Sequence, residues 1–499
     1  MGVIRRQGLK QSIVSFAGVG IGALNTLFVY PFCLTTTEFG LLMFLLSAAM
    51  LLVPFVFLGS NTLTVRYFPH FRDDASGHRG FLTLLVGLLV LGLILLFTLA
   101  LLFKPIIYGW YAPLERAYLP FVLPLTALIA ASTLLAAYTS NFLRIVVPTI
   151  FNELLIKLVL PALVVGYYLA WWPFLWIIYG LLVMYGLSLL GNIVYTASLG
   201  QLRFGNPLRF LRRRAPLRRE MQVFAGYGIM GSAGDQLAGQ LDLSMLTSLI
   251  DPTAAAVYRI GSLVGNVVDV PRKSMRRIMA PILAKHMQAS ELPEVDVLYK
   301  KSSLTLFIMG LLVFGGIWVN VDNLFRLMPN GADYAAGKWV ILLLGVTNLI
   351  NMVTSINDGI LSYSRYFRWR FYFIILLGIL NIGFNYWLIP RYSIYGAALA
   401  TLATVSLYNL GKTLLVYHKL DLQPLTRGTA VTLGIALFAY ALTLLLPSLT
   451  NVWLDLPLRS LLYAIPFGAL VYWANLSEEI NQLPGIWSAR LRRFFASEK

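Results

Sequence analysis

Fourteen stretches of largely apolar residues follow one another through this chain, with only short polar connections between them. Each is close to the roughly 20 residues a helix needs to cross a hydrocarbon layer. They fall at 11–33, 40–62, 81–103, 119–139, 146–169, 172–197, 222–249, 254–281, 303–320, 336–360, 371–389, 394–417, 429–448 and 457–475. Backbone in lipid must satisfy its own hydrogen bonds, and for separate segments of this length that means α-helix. Charged residues make up 12% of the chain, against about a quarter in a soluble domain. The predicted fold class is an all-α polytopic membrane protein of 14 transmembrane helices, with no connection long enough for a soluble domain.

Basic residues orient the predicted helices. With the N-terminus inside, 31 of the 39 Lys and Arg fall in the N-tail, inward loops and C-tail. Outward loops hold six: Lys104, Arg116, Arg326, Lys338, Arg391 and Arg459. Lys157 and Arg259 fall within helices. Seven arginines lie within Arg203–Arg219 (RFGNPLRFLRRRAPLRR), which fixes that loop on the inner side and divides the chain. Both termini are expected to be cytoplasmic. The +18 charge is spread over short loops and not over one soluble face, so no nucleic-acid partner is expected. A single cysteine, Cys33, excludes an intramolecular disulfide and a cysteine metal cage. The N-terminal MGVIRRQGLK resembles a signal-peptide start, but the apolar run continues without a small-residue cleavage site, so a retained first helix is expected. Arg6 stands where a myristoylation signal needs Ser or Thr. The tail SARLRRFFASEK is expected to lie along the membrane surface.

The two halves repeat. FAGVGIGA (Phe16–Ala23) opens the first helix and FAGYGIMGSA (Phe224–Ala233) opens the seventh. LTTTEFG (Leu34–Gly40) corresponds to LIDPTAA (Leu249–Ala255), and WIIYG (Trp176–Gly180) to SIYG (Ser393–Gly396). Six helices per half give both halves the same orientation, a parallel repeat. The expected domains are a six-helix lobe at 1–200, a basic linker at 201–221, a second six-helix lobe at 222–420, and a helix pair with a basic tail at 421–499.

With Thr37–Gly40 (TEFG), the Tyr395–Thr401 run (YGAALAT), the six-plus-six repeat and the added helix pair, nearly the whole chain resembles the polysaccharide-transporter flippases of the multidrug/oligosaccharidyl-lipid/polysaccharide (MOP) exporter superfamily. The resemblance implies a MATE-like, V-shaped alternating-access fold with a central cavity. It further implies movement of undecaprenyl-pyrophosphate-linked oligosaccharide across the bacterial inner membrane for O-antigen, capsule or exopolysaccharide synthesis. The expected state is a monomer that can associate with polysaccharide-assembly proteins.

Ionisable groups at bilayer depth normally face protein or a wet cavity. Asp235 and Asp242 lie two turns apart on one face of the seventh helix. Arg259 and Asp269 lie on the eighth. Asp242 and Arg259 sit at matching depth, so either they form a structural ion pair or Arg259 lines the cavity and attracts pyrophosphate; guanidinium suits bidentate phosphate contact. The resemblance supports the second, because related flippases carry cavity arginines on helix 8. Beyond Asp269, Pro271 is expected to kink the helix ahead of Arg272, Lys273, Arg276 and Arg277. These residues are either a headgroup anchor or a basic vestibule, with Arg66 as the pseudo-symmetric partner. Glu153 and Lys157 form a self-neutralising i, i+4 pair. Asn348, Asn351, Ser355 and Asp358 make one polar stripe, read as helix–helix bonding or as cavity lining. The resemblance also implies a sodium site of a helix-7 acid with helix-11 and helix-12 oxygens, which falls on Asp242, Asn381, Asn385 and Thr401; helix–helix adhesion is the alternative.

The function expected is therefore a lipid-linked oligosaccharide flippase, not an enzyme and without a cofactor beyond sodium or proton coupling. A multidrug antiporter of the same superfamily is the alternative. A polytopic sugar polymerase or ligase fits less well, since its outward loops would be only about 15 residues, the length of ordinary connectors. The four histidines, His70, His78, His286 and His418, all sit near the inner face. No nucleotide-binding motif is present.

Overall fold

A computed structural model describes residues 14, 17–73, 78–142, 144–212, 214–477 and 481. The expected surface helix at 488–499 lies outside them. Among the described residues the chain is helical, without strands. The principal helices are α1 (Ala17–Cys33), α2 (Thr36–Phe57), α3 (Ser60–Phe71), α4 (Phe81–Leu102), α5 (Val122–Ser140), α6 (Val146–Tyr168), α7 (Leu175–Ser198), α8 (Ala215–Leu249), α9 (Pro252–Gly265), α10 (Val270–Gln288), α11 (Leu292–Trp318), α12 (Gly337–Val353), α13 (Asn357–Tyr363), α14 (Phe367–Leu420), α15 (Arg427–Leu444) and α16 (Val452–Trp473).

Among the described residues nine helices are long and apolar enough to cross a membrane, or ten if α12 and α13, bent by 42°, form one span. The difference from fourteen has physical causes. The apolar part of α1 is described only from Ala17 and is short. Polar and charged residues, including Asp242 and Glu220, dilute the apolar surface of α8. A tight turn at Asn266–Asp269 separates α9 from α10, just ahead of Pro271. Proline lacks the N–H that would continue the ladder, and its ring crowds the carbonyl four residues back, so a break there is expected. Two predicted stretches merge in α14, where Ser393 at φ 50° interrupts the helical path.

The chain forms two compact units, Met1–Ile260 with Gly378–Ala397, and Gly261–Leu377 with Ala398–Lys499. In the first unit, α2 begins with a capping box. Glu38 N donates to Thr35 Oγ1 and Thr35 N to Glu38 Oε2, at 3.3 and 2.9 Å. These bonds satisfy two orphan donors of the first turn. Leu58 and Gly59, both with positive φ, end the helix before α3 restarts. The two repeat-related turns meet: Thr37 Oγ1 lies 3.1 Å from Thr253 Oγ1, and Gly40 packs directly on the Pro252 backbone. Further along α2 and α8, Ser47 Oγ lies 3.2 Å from Ser244 Oγ, and Gly59 abuts Ala225. Small residues at such crossings let backbones approach closely.

A polar knot ties α5, α6 and α7. Asn152 Oδ1 accepts from Ser132, Ser188 and Asn192 at 2.6, 2.9 and 2.8 Å. Asn152 sits in a widened π turn at Ile150–Leu154, which also holds Glu153, 4.0 Å from Lys157. In the second unit an apolar core joins α11, α12, α15 and α16 around Leu306, Met352, Ala439 and Tyr463. An apolar groove of about 580 Å³ runs beside it, lined by residues such as Phe314, Trp318, Leu349, Leu433 and Tyr440, with no charged residue.

Candidate functional site

Polar groups gather in two places, one in each unit. In the first unit, Asp242 of α8 is 6% exposed. It accepts from Tyr258 Oη of α9 at 2.5 Å and from Asn385 Nδ2 of α14 at 2.8 Å. Asn385, fully buried, also donates to Asn381 Oδ1 at 3.3 Å. Three of the four oxygen-bearing residues of the expected cation site therefore share one buried cluster. Thr401 belongs to the segment of α14 in the other unit.

The donor set tests that site directly. Asn385 Oδ1 is buried without a hydrogen-bond partner, while its amide nitrogen faces the Asp242 carboxylate. Buried polar atoms are normally bonded, so an orphaned carbonyl beside a carboxylate fits a group that accepts no hydrogen bond but takes oxygen ligands. The cluster suits a hard monovalent cation once the Asn385 amide turns its oxygen inward. Among the described residues no three His, Cys, Asp or Glu side chains gather as a transition-metal set would.

Tyr258 immediately precedes Arg259, and successive helical residues point about 100° apart. The phenol of Tyr258 is an α9 group bonded to Asp242, and Arg259 lies within electrostatic reach of Tyr30, a buried side chain. Arg66 of α3 is half-exposed; it pairs with Glu220 at 3.2 Å and lies 4.3 Å from the Phe224 ring centre. Exposed pairs of this kind contribute about 0–1 kcal/mol. The side chains of Asp235 and Arg277 lie outside those described.

In the second unit, Asp269 is 5% exposed and carries two cations. Arg272 binds it through two bonds of 2.5 and 3.0 Å, and Lys273 lies at 3.5 Å. The polar stripe of α12 and α13 bonds to its neighbours. Asn348 donates to Asn266 Oδ1 and Gly265 O, and Asn351 accepts from Asn409. Asp358 binds Lys412 Nζ at 3.0 Å and the Tyr408 hydroxyl at 3.2 Å. Lys412 is 2% exposed and also lies over the Tyr408 ring, 3.8 Å from its centre.

The loop count had grouped Lys412 with the inward cations; the structure buries it inside α14. Its position in YNLGKTLLVY, four residues after Tyr408 and inside a helical pattern, was the available signal. Arg370 was likewise counted as a loop cation. It lines a cavity of about 230 Å³ with Arg276, Ser355 and Asp358. Tyr258 and Glu220 were also missed as partners of Asp242 and Arg66.

No family model matches the chain, and no curated protein matches it. Solved structures do. The lipid II flippase MurJ in an inward closed conformation superposes with TM-score 0.71 at 13% identity, covering 93% of this chain and 99% of that one. A multidrug-resistance MATE-family transporter of the MOP superfamily, inward-facing, gives 0.61 at 14% identity over 82% of this chain and 95% of that one. A MATE transporter from Vibrio cholerae gives 0.52 at 12% identity over 84% and 98%. The chain thus has the all-helical fold of MOP-type transporters.

Proposed function

We propose that this chain is a flippase that carries undecaprenyl-pyrophosphate-linked oligosaccharide across the bacterial inner membrane for surface-polysaccharide synthesis. The observation that carries the reading is the apolar groove of the second unit. A groove of about 580 Å³ without a charged lining residue suits a long hydrocarbon chain better than a small cationic drug. It is walled partly by α15 and α16, the pair added to the six-plus-six repeat. The fold likeness to a lipid II flippase supports the same substrate class.

In this reading the halves 1–200 and 222–420 alternate in access, joined by the basic linker on the cytoplasmic side, where both termini also lie. Arg259, with Asp235, Asp242, Asp269, Arg66, Arg276 and Arg277, serves the pyrophosphate and sugar headgroup, while the lipid tail follows an apolar path. Asp242, Asn381 and Asn385 would hold a sodium ion, which would supply charge compensation at Asp242. A proton at the buried Asp242 carboxylate is the other coupling proposed. In this reading the protein is a monomer that associates with polysaccharide-assembly proteins.

A second reading, cation-coupled drug export, draws on the fold likeness to MATE transporters. Reconstituted vesicles separate the two. Flipping of a fluorescent polyprenyl-pyrophosphate oligosaccharide should be lost in Leu433→Trp, which fills the groove, and in Arg259→Ala. Ethidium uptake without lipid flipping would reject the flippase reading.

A further inference from the structure

The second unit holds more positive charge around Asp358 than its carboxylates use. Arg272, Lys273, Arg276, Arg370 and Lys412 share this region with Asp269 and Asp358. Asp269 is taken by Arg272 and Lys273, and Asp358 by Lys412 and the Tyr408 hydroxyl. Among the described residues neither Arg276 nor Arg370 forms a hydrogen bond or an ion pair. Both line the 230 Å³ cavity.

Two donors at this cavity are buried and unused. Arg370 Nε has no acceptor, and neither does Ser355 Oγ, whose residue is 4% exposed. Ser355 sits in the break between α12 and α13, where the 42° bend takes its hydroxyl off the regular helical ladder. Ser362 Oγ, by contrast, already donates to the Asp358 carbonyl. Buried donors left unmade are costly, and two at one cavity mark the place of a missing acceptor. The acceptor must be anionic, because two guanidinium groups line the cavity and the one carboxylate on its wall, Asp358, is already bonded to Lys412 at 3.0 Å.

We propose that this cavity binds a phosphoryl group, with Arg276 and Arg370 holding its oxygens and the Ser355 hydroxyl donating a third bond. Forked guanidinium donors match the spaced oxygens of a phosphoryl group better than a single-point anion. The group comes either from a phospholipid headgroup or from a free phosphate compound. The site belongs to a different unit from the Asp242 cluster; because it shares Arg276 with the headgroup path proposed above, Arg370 and Ser355 are the residues that distinguish it from that reading.

The test uses the full-length protein and two probes. Sodium pyrophosphate is titrated calorimetrically into protein in phosphatidylcholine nanodiscs. Separately, short-chain phosphatidylglycerol is titrated into protein in neutral detergent. Saturable binding of either probe, weakened at least tenfold by Arg370→Gln and by Arg276→Gln, is the expected result, and the probe that binds names the source. Arg370→Lys should weaken binding less than Arg370→Gln. If Arg370→Gln does not fold, as judged by its melting profile, Arg276→Gln and Ser355→Ala carry the comparison. Absence of saturable binding by both probes, or binding unchanged in the arginine variants, overturns the assignment.

Discussion

Removing either partner of the Lys412–Asp358 pair should destabilise the second unit, and unequally. At 3.0 Å and an effective dielectric near 20, the Coulomb attraction is about 5–6 kcal/mol before desolvation is counted. Breaking a buried pair by removing one partner typically costs about 3–5 kcal/mol, because the other charge stays buried. Which charge is left decides the order. In Lys412→Met, the Asp358 carboxylate retains Arg370 and Arg272 as favourable neighbours. In Asp358→Asn, Lys412 is left 2% exposed with those same two cations repelling it. The aspartate variant should therefore fall near the upper end of the range and the lysine variant near the lower. In a body of about 150–250 residues, 1 kcal/mol moves the melting temperature by about 2–4 °C. Lys412→Met should thus lower it by about 6–12 °C, Asp358→Asn by more, and the double variant should recover most of the loss. The assay is thermal unfolding of the purified protein in detergent, followed by tryptophan fluorescence and run as a double-mutant cycle. Single variants that melt with the wild type, or a double variant that melts below both singles, would refute the reasoning.

Asn385→Asp puts a second carboxylate against Asp242, which should make thermal stability depend on sodium; equal melting in sodium and choline salts would remove the cation site. Gly40→Ala places a methyl group onto the Pro252 backbone and should cost about 1–3 kcal/mol as an overpacked contact. Gly87→Ala in α4, with nothing within 4 Å, should be neutral or gain up to about 1 kcal/mol from helix propensity; equal melting of these two variants would falsify the close-approach argument. Oxidation of a Ser47→Cys/Ser244→Cys double variant should lock α2 to α8, given the 3.2 Å between the serine hydroxyls, and should stop transport reversibly. Full transport by the cross-linked protein would mean that this seam does not open.

What the sequence revealed follows from the length scale of each interaction. Helix positions were legible because lipid imposes a local rule, and the predicted stretches overlap helices in their described parts, though 40–62, 254–281 and 336–360 each run across a break. The repeat motifs were legible as well, and the structure gives them physical roles. TEFG caps α2 and brings Gly40 against Pro252. In SIYG, Ser393 takes a positive φ and Gly396 leaves no room for a side chain over Leu388 and Ile389. The helix-7 acid and the helix-11 amides were singled out through the family resemblance, and the structure brings Asp242, Asn381 and Asn385 into one hydrogen-bonded cluster.

Partners across helices were not legible. Asp358 stood out as one member of a polar stripe, but nothing in its own segment points to Lys412, 54 positions later. Tyr258, the residue before Arg259, was not read as a partner of Asp242, yet its hydroxyl donates to that carboxylate. Rotation about a helix axis explains that outcome: at about 100° per residue, a shift of one position changes which group faces a neighbour, and composition carries no record of the rotation. The same limit applies to Arg370 and Ser355. Arg370 reads as a loop cation and Ser355 as one member of a polar stripe, and neither segment alone shows that their unused donors line one cavity. The proposed phosphoryl site falls where α12 ends, because the regular ladder stops at Val353 and Ser355 lies beyond it.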